Sequence, residues 1–325
     1  MVRILSDDDV DSLLEIDALL PVVRDAFVKQ ERGDVERPDR PHFPVGAGID
    51  GDAPLGTGLV MPAYIHGEPH YATKLVGVHG GNEDRGLPTV NAQIALTDAE
   101  TGLPAALLAG TRITNARTGC IGGVAAAELA SSSPVKLAVI GAGTQARWQA
   151  RCIVTATDVE SIRVYSPSDS KRECADELES EFGVPTTPVE SADDAVADAT
   201  VVVTATTATT PVFSGEALRP GTLVIAVGAY NEEMRELDRE TFSRADKTVA
   251  DVPGEVAETG DVRATDLEAD DFVPLGDVLD GAAGRDSDSE IVVVESVGSA
   301  VLDAAASEFV FERAEETKAG REVEL

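Results

Sequence analysis

The hydrophobic rhythm of the chain changes near residue 119. From there on, short apolar runs alternate with stretches of helical spacing. V-K-L-A-V-I (135–140), S-I-R-V-Y-S (161–166), P-T-T-P-V (185–189), T-V-V-V-T-A-T (200–206), T-L-V-I-A-V-G (222–228) and K-T-V-A-D (247–251) read as strands, with helices over 169–182 and 191–199 between them. Apolar strands alternating with helices are what a parallel sheet covered on both faces requires, so this half is expected to be a doubly wound α/β domain. The first 118 residues follow another pattern. Helical spacing around 8–33 gives way to a proline-rich stretch and then to strand-like runs at 58–64, 70–79 and 89–98, with turn residues between or after them. These predict a separate α+β unit with an antiparallel or mixed sheet.

The strand at 135–140 runs into Gly141, Gly143 and Ala146 and then into a helical segment. The first glycine permits a tight turn, the second lets the backbone approach a pyrophosphate, and the small third residue lets the helix pack on the sheet. Free N–H groups at the helix start, around Thr144 and Gln145, then face the phosphates. Ligands of doubly wound sheets sit at the carboxyl ends of the strands, which places Ser166, Thr206 and Gly228 along a cofactor cleft. The second strand ends V-Y-S-P-S-D-S-K-R, with no acid at its tip to bond a ribose 2′-hydroxyl. Ser166 and Ser168 can donate to a phosphate there, and Lys171 and Arg172 are either its counter-charges or solvated helix residues. The cofactor is therefore expected to be NADP or NAD, with NADP(H) ahead.

Composition narrows the partners. The 325 residues are 43% hydrophobic, enough for a large core in two domains, and no apolar run reaches the roughly 18 residues that cross a bilayer. The start M-V-R-I-L-S-D-D-D lacks the apolar core of a signal peptide, so a soluble cytoplasmic protein is expected. Fifty-nine acidic against 26 basic residues give a net charge of −33, spread over nearly every surface segment. That disfavours nucleic acid, whose binding wants clustered Lys and Arg, and fits a folded protein adapted to a salt-rich cytoplasm. Cys120, Cys152 and Cys174 are too few and scattered for a disulfide framework or a metal site, and read as packing residues.

Against that acidity, three basic residues of the first unit draw attention. Strand alternation puts Lys74 on the face of Ala72, Val76 and Val78, where it is either an edge residue reaching water or a buried, functional one. Burial would depress its pKa and make it a usable acid, base or imine stabiliser. Arg40 and Arg117 are either surface charges or, with Lys74, a cationic pocket for a carboxylate.

Longer motifs add a resemblance. L-P-T-V-N-A-Q-I-A-L-T-D-A-E-T-G-L-P-A-A-L-L-A-G-T-R-I-T-N-A-R-T-G (87–119), V-I-G-A-G-T-Q-A-R-W-Q-A, V-I-A-V-G-A-Y-N-E-E-M-R-E-L (224–237) and E-S-V-G-S-A-V-L-D-A-A-A (295–306) together resemble the ornithine cyclodeaminase/mu-crystallin family over nearly the whole chain. The resemblance implies a doubly wound Rossmann domain over 119–299. It implies a substrate-binding and dimerisation domain over 1–118 with 300–325, and a homodimer. It makes Arg40 the clamp of a substrate carboxylate, Lys74 the active-site lysine, and Arg117 a second arginine between substrate and cofactor. Thr89, Ser296 and Val297 match positions close to the nicotinamide and substrate, and Thr206, Val227, Gly228 and Ala229 match cofactor contacts.

One departure bears on the reaction. Cyclodeaminases of the family carry an aspartate where this chain has Tyr230, and a lysine where it has Met234, while Ala109-Gly110 replaces a usual Asp-Gly. Tyr230 then borders the substrate without a carboxylate, unless Glu232 or Glu233 substitutes for it. The resemblance is to the dehydrogenase and reductase branch. It implies an NAD(P)-dependent oxidoreductase acting on the C–N bond of a small amino or imino acid, of alanine dehydrogenase or ketimine reductase type. Ornithine cyclodeaminase and a non-enzymatic NADP-dependent binding protein are the alternatives. No metal is expected.

Overall fold

The computed structural model describes residues 1–49 and 51–324, which form two compact units. The first comprises Met1–Glu15, Arg32–Arg117 and Ala300–Leu325, and the second Ile16–Glu31 and Thr118–Ser299. The division at Arg117/Thr118 falls inside a single helix, Gly110–Leu129. The helix Ile16–Arg32, expected with the first 118 residues, groups instead with the second unit. Its buried stripe of Leu19, Val23, Ala26 and Phe27 packs there, close enough that a Cβ on Gly276 would lie 2.6 Å from the Phe27 carbonyl.

The first unit is built on a mixed sheet of β1 (Val2–Leu5), β2 (Val35–Glu36), β3 (His42–Val45), β4 (Gly56–Ile65), β5 (His70–Val78), β6 (Val90–Asp98), β7 (Pro104–Ala109) and a C-terminal strand, Arg321–Val323. The order is Arg321–Val323, β1, β7, β6, β5, β4, β2, with β3 also on β4. Only β1 and β7 are parallel. Cross-strand partners share a face. Met61, Lys74, Ile94, Leu108 and Leu5 therefore form one row on the buried face, and Pro62, Thr73, Ala95, Leu107 and Ile4 one row on the opposite face. The C-terminal helix Ala300–Thr317, buried on all sides from Ala300 to Glu308, packs against β4 and β5.

The second unit holds β8 (Val135–Ile140), β9 (Val159–Tyr165), β10 (Thr186–Pro188), β11 (Val201–Thr204), β12 (Leu223–Ala226), β13 (Lys247–Ala250), β14 (Val273–Pro274) and β15 (Val292–Glu295). They pair in parallel in the order β10-β9-β8-β11-β12-β15-β13-β14. The connectivity reverses direction between β8 and β11, the crevice where open α/β sheets bind ligands. β8, β11, β12 and β15 are buried throughout except for Lys136, which explains why the first three read as apolar runs.

Candidate active site

Lys74 is not an edge residue. β5 is flanked by β4 and β6, and the lysine is 1% exposed among Met61, Ile94 and Leu108 on the covered face. A buried ammonium needs a partner. It has one in Asp303 of the C-terminal helix, whose Oδ2 lies 2.5 Å from Lys74 Nζ. The other oxygen, Oδ1, accepts from Arg117 Nε at 2.8 Å, and both charged partners of the lysine–carboxylate–guanidinium cluster are themselves buried. Burial, joined by the charges of Arg117 and Arg40, lowers the Lys74 pKa to about 8 against the pull of Asp303. Burial alone would raise the Asp303 carboxyl. The Arg117 and Lys74 charges outweigh it and hold Asp303 below the usual carboxylate range. One buried carboxylate thus bridges two buried cations, with Arg40 in electrostatic reach of the lysine.

Asp303 was not among the residues singled out from sequence, although its setting, V-L-D-A-A-A, is an aspartate in an otherwise apolar helical run. An acid there can be tolerated only if paired. A second tie fixes the same helix: His70 Nδ1 at the start of β5 lies 3.0 Å from both Glu308 carboxylate oxygens, with its ring edge-on to Phe311. Thr89, just before β6, is half-buried, and its carbonyl accepts from His79 N at 2.9 Å.

In the second unit the glycine motif divides into two physical roles. Gly141 has φ +119°, and a Cβ there would sit 2.5 Å from the Ala205 carbonyl, so the turn itself demands glycine. A Cβ on Gly143 would meet nothing within 4 Å. Gly143 is the N-cap of the helix Thr144–Ala156, with no side chain capping its first N–H groups. Open space over uncapped N–H groups fits a dinucleotide pyrophosphate, with Thr144 and Gln145 on the first turn and Ala146 packed beneath. The expected contrast is direct. Gly143→Ala should fold with an unchanged Tm yet bind NAD(P)H more weakly, whereas Gly141→Ala should lose stability as well. Unchanged cofactor affinity in Gly143→Ala, read by fluorescence titration, would contradict that placement.

The carboxyl ends of the parallel strands carry the other cofactor candidates: Ser166 and Ser168 after β9, Thr206 after β11, Val227, Gly228 and Ala229 after β12, and Ser296 and Val297 after β15. Two buried acids organise these loops, and the sequence reading did not single out either. Glu236, the acid of M-R-E-L, accepts from Thr204 Oγ1 (2.8 Å), Thr206 N (2.6 Å) and Gly228 N (2.8 Å). A Cβ on Gly228 would collide with that carboxylate at 2.5 Å. Asp251 likewise accepts from Ser296 Oγ (2.6 Å), Val297 N (3.1 Å) and Gly298 N (2.7 Å). Asp261 takes the N–H groups of Glu236 and Leu237, and burial raises its pKa to about 7.

Tyr230 also belongs to the second unit, 41% exposed, with partial burial pushing its hydroxyl pKa up. Of the two glutamates that follow it, Glu232 is ion-paired with Arg263 and Glu233 is exposed. Arg40, Lys74, Arg117 and Asp303 are thus gathered in the first unit, while Tyr230 and Val297 lie in the second. Among the described residues no cluster of His, Cys, Asp or Glu could hold a metal ion, and no helix is long and apolar enough to cross a membrane. The three cysteines are buried and form no disulfide, and Cys120 and Cys152 are in contact, Sγ to Sγ 3.9 Å.

Comparison with known proteins meets this geometry from another side. The chain is 36% identical to a Δ1-pyrroline-2-carboxylate reductase of Bacillus cereus, over 83% of this chain and 85% of that one. It is 31% identical to an alanine dehydrogenase of Archaeoglobus fulgidus, over 99% and 98% respectively. The structure of Thermococcus litoralis Δ1-pyrroline-2-carboxylate reductase in complex with NADH and L-proline superposes with a TM-score of 0.92 at 32% identity, covering 99% of this chain and 100% of that one. The sequence profile of one family matches residues 2–318: the chain belongs to the ornithine cyclodeaminase/mu-crystallin family.

Proposed function

We propose that this protein reduces a small cyclic imino acid of the Δ1-pyrroline-2-carboxylate class to the corresponding amino acid, with NADH or NADPH as reductant. The single observation that carries the reading is the buried cluster of Lys74, Asp303 and Arg117, with Arg40 in electrostatic reach. Arg117 and Arg40 hold the substrate carboxylate, fixing the C=N bond against Lys74. The Lys74 ammonium donates a proton to the imine nitrogen as the carbon is reduced, and the resulting amine regains its proton from solvent. Asp303 stays ionised and aims the ammonium. A nicotinamide dinucleotide would be held by the Gly141–Gln145 turn and the loops after β9, β11, β12 and β15, and would supply a hydride to the imine carbon. A protein that only bound ligand would have no use for a lysine poised near pH 8.

The relatives include pyrroline-2-carboxylate and ketimine reductases, an alanine dehydrogenase and a cyclodeaminase, and the groups gathered here could serve imine reduction or, run in reverse, amino acid dehydrogenation. Ornithine cyclisation fits less well, because Tyr230 stands where that reaction uses a carboxylate. The test is a panel of cyclic imines, 2-oxo acids with ammonium, and L-ornithine. It is followed by NAD(P)H oxidation and by chromatography of the product. Fastest cofactor oxidation with a cyclic imine supports the reading, and proline formed from ornithine without net cofactor oxidation overturns it.

The assembly follows from the uncovered face of the first sheet. Ile4, Leu107, Tyr71 and Leu75 are exposed there on neighbouring strands, an apolar surface that a second copy would cover. The structural neighbours include an archaeal alanine dehydrogenase dimer with NAD bound, at 28% identity and a TM-score of 0.91. A homodimer through this face, in a cytoplasm rich in salt that screens the surface acids, completes the reading. Light scattering on the wild type and on a Leu75→Glu, Leu107→Glu variant reads it directly.

A further inference from the structure

In dinucleotide-binding sheets the tip of the second strand meets the adenosine ribose, and the charge there discriminates a 2′-hydroxyl from a 2′-phosphate. Topology makes β9 that strand, next to β8 and its glycine turn. Its tip carries no acid in contact with the serines. Ser166 Oγ lies 3.3 Å from Ser168 Oγ, which lies 2.6 Å from Ser170 Oγ at the start of the helix Ser170–Phe182. Hydroxyls of this kind serve either cofactor, so the decision passes to the neighbouring charges.

The two cations that follow are held in ion pairs rather than simply solvated. Lys171 is buried, its Nζ 3.0 Å from Glu190 Oε2 and 5.7 Å from the centre of the Tyr165 ring. Arg172 Nη2 donates to the other oxygen of the same carboxylate at 3.2 Å, and its Nε is 3.8 Å from Asp169. Glu190 follows β10, and the adjacent Val189 N donates to Val164 O of β9 at 2.9 Å, which sets the glutamate beside the β9 tip at the carboxyl end of the sheet. One carboxylate from the third strand therefore takes up both cations of the second-strand helix, and with Asp169 it balances their charge.

We infer that Glu190 is a cofactor-specificity residue: by occupying Lys171 and Arg172 it withholds from a 2′-phosphate the positive charge that would favour NADPH, and leaves the site open to NADH. This rests on the reading that a nicotinamide dinucleotide lies along β8 and β9. It also qualifies the expectation of NADP(H) preference, since the basic residues behind that expectation are engaged. Glu190 is 73% exposed, and Glu190→Gln removes its charge while keeping a side-chain oxygen to accept from the buried Lys171 ammonium.

The experiment is fluorescence titration of the intact wild-type protein and of Glu190→Gln with NADH and with NADPH, at one moderate ionic strength at which both are folded. NADPH is expected to bind on the order of tenfold more tightly to the variant, as a charge-assisted contact is released to the phosphate, with NADH nearly unchanged. Adding Arg172→Gln should erase the gain, and raising the salt should shrink it. An unchanged NADPH-to-NADH affinity ratio in Glu190→Gln overturns the role of Glu190 alone. Failure of the wild type to bind either cofactor overturns the underlying reading as well.

Discussion

Replacing Lys74 by methionine is expected to slow imine reduction by about 10²- to 10⁴-fold, the usual loss on removing a positioned general acid, while leaving NAD(P)H affinity intact. Most of the proposed cofactor contacts lie on the loops of the second unit, away from Lys74 in the first, so a selective loss of turnover separates proton donation from binding. The wild-type pH profile carries the same information with a definite sign. Lys74 donates only when protonated, and burial has brought its pKa to about 8. For reduction, kcat/KM is therefore expected to be level below pH 8 and to fall above it. In the oxidative direction the neutral amine must accept the proton, so that profile should rise toward pH 8 and then level. Stopped-flow rates for Lys74→Met equal to wild type, or profiles without an inflection of opposite sense, would remove the lysine from the mechanism.

Asp303→Asn should be the most damaging conservative change in the first unit. It leaves the Lys74 ammonium and the Arg117 guanidinium buried without their shared counter-charge, and breaking a buried ion pair from one side costs about 3–5 kcal/mol. Because Asp303 is the influence that raises the Lys74 pKa, its loss should also move the falling limb of the reduction profile below pH 8. Denaturant unfolding and the pH profile read the two effects independently. A variant as stable as wild type, with its limb still near pH 8, would show that the carboxylate neither anchors nor tunes the lysine.

Much of the second unit was legible because physics repeats itself there. Each buried parallel strand must be apolar on both faces, and the turn after β8 must be glycine, so period and punctuation coincide at β8, β11 and β12. The strands that escaped notice lack that agreement. P-A-A-L-L-A has the composition of a helix yet forms β7, held in place by pairing with β6 and β1. β15 enters the sheet between β12 and β13, a position set by tertiary pairing that no local pattern records. The same contrast holds in the site. Lys74 stood out as a cation on an apolar strand face, but periodicity could not decide between edge and interior. The sheet order decides it. Asp303, Glu236 and Asp251 act across long sequence separations, on a lysine and arginine in one case and on the backbone of strand-end loops in the others, and partners that distant leave no spacing to read.

The central claim is net transfer of a hydride from the nicotinamide to the α-carbon of an imino acid. It is tested most directly by supplying cofactor deuterated at the transferable position with a cyclic imino acid and analysing the product by mass spectrometry. Deuterium bonded at the α-carbon, appearing in step with the loss of reduced cofactor, is the predicted result. An amino acid formed without the label, or without net oxidation of the cofactor, would contradict it.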